Sequence, residues 1–252
     1  MAENEELSFW EHLDILRSII LKVIIVGGAC TLLAFYFKEP IFKIVLAPKD
    51  HGFITYKMLR TESFGISLIN TGLTEQFLVH VKVAVFVGIL CASPYIIYQL
   101  YKFISPALYA RERKYSGRIV GSAYAMFFMG NLVNYFLIFP LTLRFLGTYS
   151  VSPEVQNMLT IQSYMDTLLM MALLFGLVFE IPVISWLLAL AGLLKHSWMT
   201  RYRKHAIVGI VILAAVITPT SDIFTLFIVS LPIWLLYELS ILIVKATERQ
   251  NG

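Results

Sequence analysis

Glu112 is the one carboxylate in a basic run. Residues 106–114 read PALYARERK, and Arg111, Arg113 and Lys114 surround it. A carboxylate offers two oxygens to the planar guanidinium fork, so an exposed acid of this kind can recognise arginine in another chain. Paired with its own neighbours, it is a surface salt bridge of small energetic weight. Chemistry alone leaves both readings open. Residues 3–14 add Glu3, Glu5, Glu6, Glu11 and Asp14, an acidic amphipathic segment that with Glu112 could form a docking surface for a basic peptide. A further carboxylate, Glu180 in FGLVFEIP, lies deep in an apolar stretch, where an ionisable group faces protein or a water-filled cavity. Either it ties helices together through Asn131, Asn134 or Gln162, or it meets a polar group from a substrate or partner helix. Protonated, it would donate a hydrogen bond. Asp166 and Glu238 are milder cases, and Asp222 in TPTSDIF is placed to cap the helix that follows.

The sequence offers no nucleotide loop, HExxH or GxSxG pattern, and its five histidines are dispersed. No enzyme activity, cofactor or metal is therefore expected. His196 and His205 flank a connection and read as interfacial. The 20 Lys and Arg against 16 Asp and Glu give a net charge of +4, but the bases fall in short clusters between apolar runs, which excludes a nucleic-acid partner. Cys30 and Cys91 lie within apolar stretches, so no disulfide is expected, and no cleavable signal peptide is evident.

The elements that must position these residues are membrane spans. Of the 252 residues 58% are hydrophobic and 14% charged, where soluble domains carry about 25% charged residues. Mean hydropathy is +0.76. Apolar runs predict an all-α, polytopic membrane protein with six spans at about 19–37, 76–104, 119–139, 165–191, 205–218 and 223–244. External loops fall at 38–75 and 140–164, cytoplasmic loops at 105–118 and 192–204, and residues 1–18 form an amphipathic cytoplasmic N-terminus. The loop at 38–75 is long enough to hold folded elements of its own. The fifth span has 12 continuous apolar residues, AIVGIVILAAVI, about 18 Å of helix. Thirteen bases lie on the side of the termini and six on the other, with Lys82 inside a span, so both termini are expected in the cytoplasm. Two function classes fit such a chain: a receptor for peptides and partner helices, or a proton-coupled solute transporter using Glu180 and Asp166.

Four motifs favour the first. SFWEHLDILR (8–17), FISPALYARERK (103–114), FGLVFEIP (175–182) and TPTSDIF (218–224) resemble, in order and spacing over essentially the whole chain, the C subunit of the twin-arginine protein translocase. That resemblance implies a cupped arrangement of six helices with short fifth and sixth members, in the bacterial inner membrane. It implies a receptor for twin-arginine signal peptides that works with single-span A and B subunits, self-associates in a larger complex, and exports folded proteins using the proton-motive force. By the same match Glu112 receives the paired arginines, with Phe103, Pro106 and Leu108 shaping its loop. Glu180 is the buried acid of the concave side, Asp222 the acid of the last external turn, and the fifth span the docking face for the B subunit. Where the family motif reads HLxELR this chain has HLDILR. Ile15 replaces a carboxylate, and Asp14 or Glu11 is the acid left to substitute for it. Leu226 stands where the family often has glutamine.

Overall fold

A backbone in hydrocarbon can satisfy its own polar groups only as helix or closed barrel, and the apolar runs become helices. In the computed structural model, residues 9–60, 66–104, 116–150, 152, 158–218 and 222–251 are described. In chain order, α1 (Phe9–Tyr36) is followed by two short helices, α2 (Lys38–Val45) and α3 (Ile54–Met58), and then by α4 (Glu75–Ile104). Next come α5 (Ser116–Val133) and α6 (Phe139–Thr148), joined through a π-helical turn at Asn134–Ile138, and then α7 (Ile161–Val178) and α8 (Ile181–Leu190). The chain ends with α9 (His196–Arg201), α10 (Arg203–Ile217) and α11 (Ile223–Asn251). A two-residue parallel pairing, Leu68 with Leu159 and Ile69 with Thr160, joins the connections that lead into α4 and α7.

Among the described residues, five helical stretches are long and apolar enough to cross a membrane: Leu13–Tyr36, Glu75–Phe103, Gly117–Thr148, Ile161–Leu190 and Ile223–Arg249. The fifth span expected from the sequence is α10. Its 15 residues make about 22 Å of helix, which can cross the hydrocarbon core of about 30 Å only where the bilayer thins. The sixth helix is not short. It runs for 29 residues, because KATERQN after the apolar run supplies good helix formers and neither glycine nor proline.

Prolines shape three spans. Pro94 cannot bond the Leu90 carbonyl one turn back, and the Ser93 hydroxyl donates to that oxygen at 2.7 Å. Pro140 is where the sequence predicts the third span to close. The helix instead continues, because the π turn before Pro140 changes the register and the proline sits in the first turn of α6. The Phe136 carbonyl that Pro140 leaves without a donor is taken by the Thr55 hydroxyl from α3. Pro182 likewise opens α8, leaving Phe179 and Glu180 at a break in the fourth span.

Helices approach closely where side chains vanish, the usual means of packing in a membrane. A Cβ on Gly88 of α4 would lie 2.7 Å from the Thr31 backbone of α1. Gly130 of α5 sits against the Phe175 carbonyl of α7, and Gly176 of α7 against the Phe127 ring of α5. The main core gathers Val79 and Val83 of α4, Phe139 of α6, Met165, Met171 and Phe175 of α7, Ala214 of α10 and Ile233 of α11.

The connection between α1 and α4 is fastened over this core. The Tyr56 hydroxyl lies 2.9 Å from the Pro48 carbonyl and 3.1 Å from that of Pro140. Tyr135 donates to Ile44 O at 2.6 Å and Tyr164 to Val45 O at 3.0 Å. Cys30 and Cys91 are both free.

Candidate functional site

One face of α4 and one face of the broken fourth span carry the relevant residues at seven-residue spacing. Lys82, Ile89, Ile96 and Phe103 line up along α4, and Asp166, Leu173, Glu180 and Leu187 along α7 and α8. Seven residues turn a helix by nearly two full turns, so each set forms one stripe. Between the stripes, with α5 as the third wall, lies a cavity of about 520 Å³. Its lining includes Ile89, Ile96 and Tyr101 of α4, Ile119 and Phe127 of α5, Leu173 of α7, Glu180, and Leu187 of α8. The wall is apolar except for Ser93, Tyr101 and Glu180.

Glu180 reaches this cavity because Pro182 breaks the span just ahead of it; its own backbone still accepts from the Ile184 N–H at 2.9 Å. The helix tie expected from the sequence as one alternative does not form. Glu180 Oε1 is buried without a hydrogen-bond partner among the described residues. Asn131 uses its amide nitrogen on the Phe127 carbonyl at 2.9 Å, and the Asn134 amide is buried without a partner among the described residues.

The cavity's position matters as much as its wall. It is built from the last turns of α4 (Leu100, Tyr101) and the first turns of α5 (Ile119, Val120), the two helix ends that residues 105–115 connect. Glu112, Pro106 and Leu108 belong to that connection and lie outside the described residues, as does the side chain of Glu11. Phe103 is half-buried at the end of α4. α1 runs antiparallel to α4, with Thr31 against Gly88 and the Phe35 ring stacked on His80 at 4.0 Å. Extending that register places exposed Asp14 level with the last turn of α4. Ile15, also exposed, points about 100° away around the same helix.

The other acids have local partners. Lys82, which the sequence leaves without a role, pairs with Asp166 at 2.6 Å, each side chain a little over two-fifths exposed. Glu238 pairs with Arg203 at the start of α10 at 2.8 Å. Asp222 accepts from the Thr225 N–H at 2.7 Å and so caps α11. Leu226 packs against the main core. The signals that could have disclosed the Lys82–Asp166 pair are the two seven-residue stripes. No group of three metal-ligating side chains occurs among the described residues.

This arrangement of apolar helices is an architecture already known. A crystal structure of the twin-arginine translocase receptor TatC superimposes with a TM-score of 0.78 at 31% identity, covering 94% of this chain and all of that one. The sequence is 34% identical over 235 residues to the Sec-independent protein translocase protein TatC of Koribacter versatilis, covering 93% of this chain and 84% of the relative. To the TatC of Aquifex aeolicus it is 31% identical over 242 residues, 96% of each chain. The family model for the Sec-independent protein translocase protein TatC matches residues 11–232. Fold and sequence thus agree, and the chain belongs to the TatC family of Sec-independent protein translocase proteins.

Proposed function

We propose that this multi-pass inner-membrane chain, as receptor and core subunit of a twin-arginine translocase, takes the arginine pair of a signal peptide on Glu112 and the peptide's apolar portion in the cavity below. One observation carries the reading. The apolar cavity is walled by the two helix ends that flank the loop of Glu112, so a peptide held at that loop has an apolar receptacle next to it. Guanidinium recognition comes from the charge-assisted, two-oxygen geometry that a carboxylate supplies. Asp14, level with the end of α4, is the acid best placed to add a second contact where Ile15 offers none, and Glu11 lies one turn before it. Phe103, Pro106 and Leu108 are the further residues that the family resemblance assigns to this arginine site. The chain binds and positions precursors rather than transforming them chemically.

The partner surfaces follow from what is left bare. α10 exposes Ile207, Val208, Val211, Ile212 and Val216, and meets α11 in a shallow apolar groove at Phe227 and Trp234. That face suits a single-span A or B subunit, with the proton-motive force as the energy source and further copies of this chain in the assembled complex. The transporter alternative needs Asp166 to work beside Glu180. Asp166 is instead paired with Lys82, 14 residues and about 21 Å of helix away.

The test is binding of a paired-arginine peptide and its paired-lysine counterpart to the reconstituted chain. Glu112→Gln should weaken the arginine peptide by about tenfold, in line with loss of a charge-assisted bond, and leave the lysine peptide much less affected. Equal losses for both peptides would mean bulk electrostatics in place of guanidinium recognition.

A further inference from the structure

The Lys82–Asp166 pair is an ion pair left half open in an apolar setting. Its charges are 2.6 Å apart, yet the two side chains stay 44% and 43% exposed. Leu78 and Val85, one turn to either side of Lys82 on α4, are exposed as well, and so is Met170, one turn beyond Asp166 on α7. Both helices belong to stretches long and apolar enough to cross a membrane, so what covers this band is hydrocarbon. A half-open ion pair there is costly unless further polar groups meet it. Capacity for them remains. The ammonium carries three N–H donors and the carboxylate two oxygens, while Lys82 Nζ to Asp166 Oδ1 is the hydrogen bond that they make among the described residues.

The free atoms are directed at a membrane surface. The parallel pairing of Leu68 with Leu159 ties together the segments that enter α4 and α7, so the two helices begin at the same end. Helical side chains lean toward the N-terminus of their helix, and Lys82 and Asp166 therefore both lean toward that end. The change from polar to apolar sequence falls there, after Gln76 on α4 and after Ser163 on α7. Both charges lie within about 10 Å of helix rise from that boundary, a depth that the long stem of a lysine can span. Phospholipid headgroups lie at this level.

We propose that Lys82 and Asp166 form a lipid site selective for a zwitterionic phospholipid with a primary ammonium, of the phosphoethanolamine type. The lipid phosphate accepts from Lys82 and the lipid ammonium donates to Asp166, which closes a ring of alternating charges, and the acyl chains lie over Leu78, Val85 and Met170. Charge-assisted hydrogen bonds of this kind are the strong ones. A choline headgroup carries the same charges but has no N–H to give. An anionic headgroup without an amine would satisfy Lys82 and press against Asp166. It would also meet Glu75, seven residues before Lys82 on the same stripe, whose carboxylate is held by the Thr71 N–H at 2.9 Å and the Thr71 hydroxyl at 3.0 Å. The next residues of the two stripes, Ile89 and Leu173, line the cavity, so the bound lipid stands at its edge.

The experiment titrates the full chain, delipidated in detergent, with phosphatidylethanolamine, phosphatidylcholine and phosphatidylglycerol of identical acyl chains. Native mass spectrometry counts one-lipid adducts, and thermal melting is followed in parallel. The ethanolamine lipid should bind about fivefold to tenfold more tightly than either of the others, the yield of one charge-assisted hydrogen bond. Lys82→Met combined with Asp166→Leu removes both charges and strands neither; it should lose the preference while still melting cooperatively. Asp166→Asn leaves Lys82 as the lone charge of the pair and should turn the preference toward phosphatidylglycerol, a reversal that a purely structural pair would not produce. If the double variant does not fold, Asp166→Asn decides. Phosphatidylethanolamine with a photoreactive group beside its amine should label α4 or α7 near their starts. Equal binding of the three lipids overturns the proposal and means that water or a partner helix covers the pair. An ethanolamine preference that survives in either variant overturns it, as does labelling confined to other helices.

Discussion

Gly88→Ala tests how α1 is held. An added Cβ would meet Thr31 Oγ1 at 2.3 Å and the Thr31 backbone Cα and N at 2.7 Å, where ordinary contact begins at 3.4 Å. The threonine oxygen can rotate away, but the backbone cannot, so α1 must retreat by about 0.7 Å. A gap of that size forfeits roughly a quarter to a half of the dispersion attraction of each atom pair it opens. Overpacking of a close-packed interface costs about 1–3 kcal/mol, and the backbone obstacle puts Gly88→Ala in the upper half of that range, with Gly88→Val beyond it. Gly27→Ala and Gly28→Ala are the controls, because nothing lies within 4 Å of either position; both should stay within about 0.5 kcal/mol of the parent. Unfolding of the detergent-solubilised chain, followed by helical circular dichroism, gives the comparison. Since α1 also sets Asp14 beside the end of α4, affinity for a paired-arginine peptide should fall in Gly88→Ala before the fold is lost. If Gly88→Ala unfolds together with the two controls, the close approach of α1 and α4 is not what positions the N-terminal acids.

Three further outcomes are expected. Thr55→Val leaves the Phe136 carbonyl without its donor and should lower stability by about 1–3 kcal/mol, read in the same unfolding assay. Neutralising Lys82 or Asp166 alone strands one charge within a span, so a double-mutant cycle with Lys82→Met and Asp166→Asn should give a coupling above the 0.2–1 kcal/mol or so typical of exposed pairs. A coupling near zero would make the contact incidental. Glu180→Leu removes a buried acid and fills part of the cavity, so it should raise the melting temperature while reducing export of a paired-arginine precursor, a trade of function for stability.

The sequence carries the helices and their order plainly, because long apolar runs admit few other structures in a bilayer. It also carries Glu180, since a lone acid in such a run is costly and therefore conspicuous. What it conceals depends on which residues face one another. Tyr101 looks like any interfacial aromatic until the structure places it in the wall of the cavity. Lys82 and Asp166 are 84 residues apart, and each looks anomalous alone. Pro140 reads as a terminator because the donor that rescues Phe136 O comes from Thr55 on another element. Gly88 and Gly130 read as tolerated interruptions, and their purpose lies in the partner helix. The length of α11 was hidden differently: hydropathy ends where the membrane does, but helix propensity continues past it.

The hydroxyls of Thr55, Tyr56, Tyr135 and Tyr164 have a consequence for the environment in which the protein works. Each bonds a backbone carbonyl of another segment, and none of these contacts involves a formal charge. Burial raises the pKa of Tyr56 far above the ordinary tyrosine value. Its contribution is therefore complete at every pH below the unfolded value of about 10 and is lost only as pH rises through the folded one. Salt, which screens charges over about 10 Å at 0.1 M, has little to act on here. On the orientation that the distribution of bases predicts, this clasp faces outward, toward a compartment whose acidity and ionic strength follow the surroundings. A closure made from neutral hydroxyls gives the outer side of the molecule a tolerance of brine and acid that salt bridges in the same places would not.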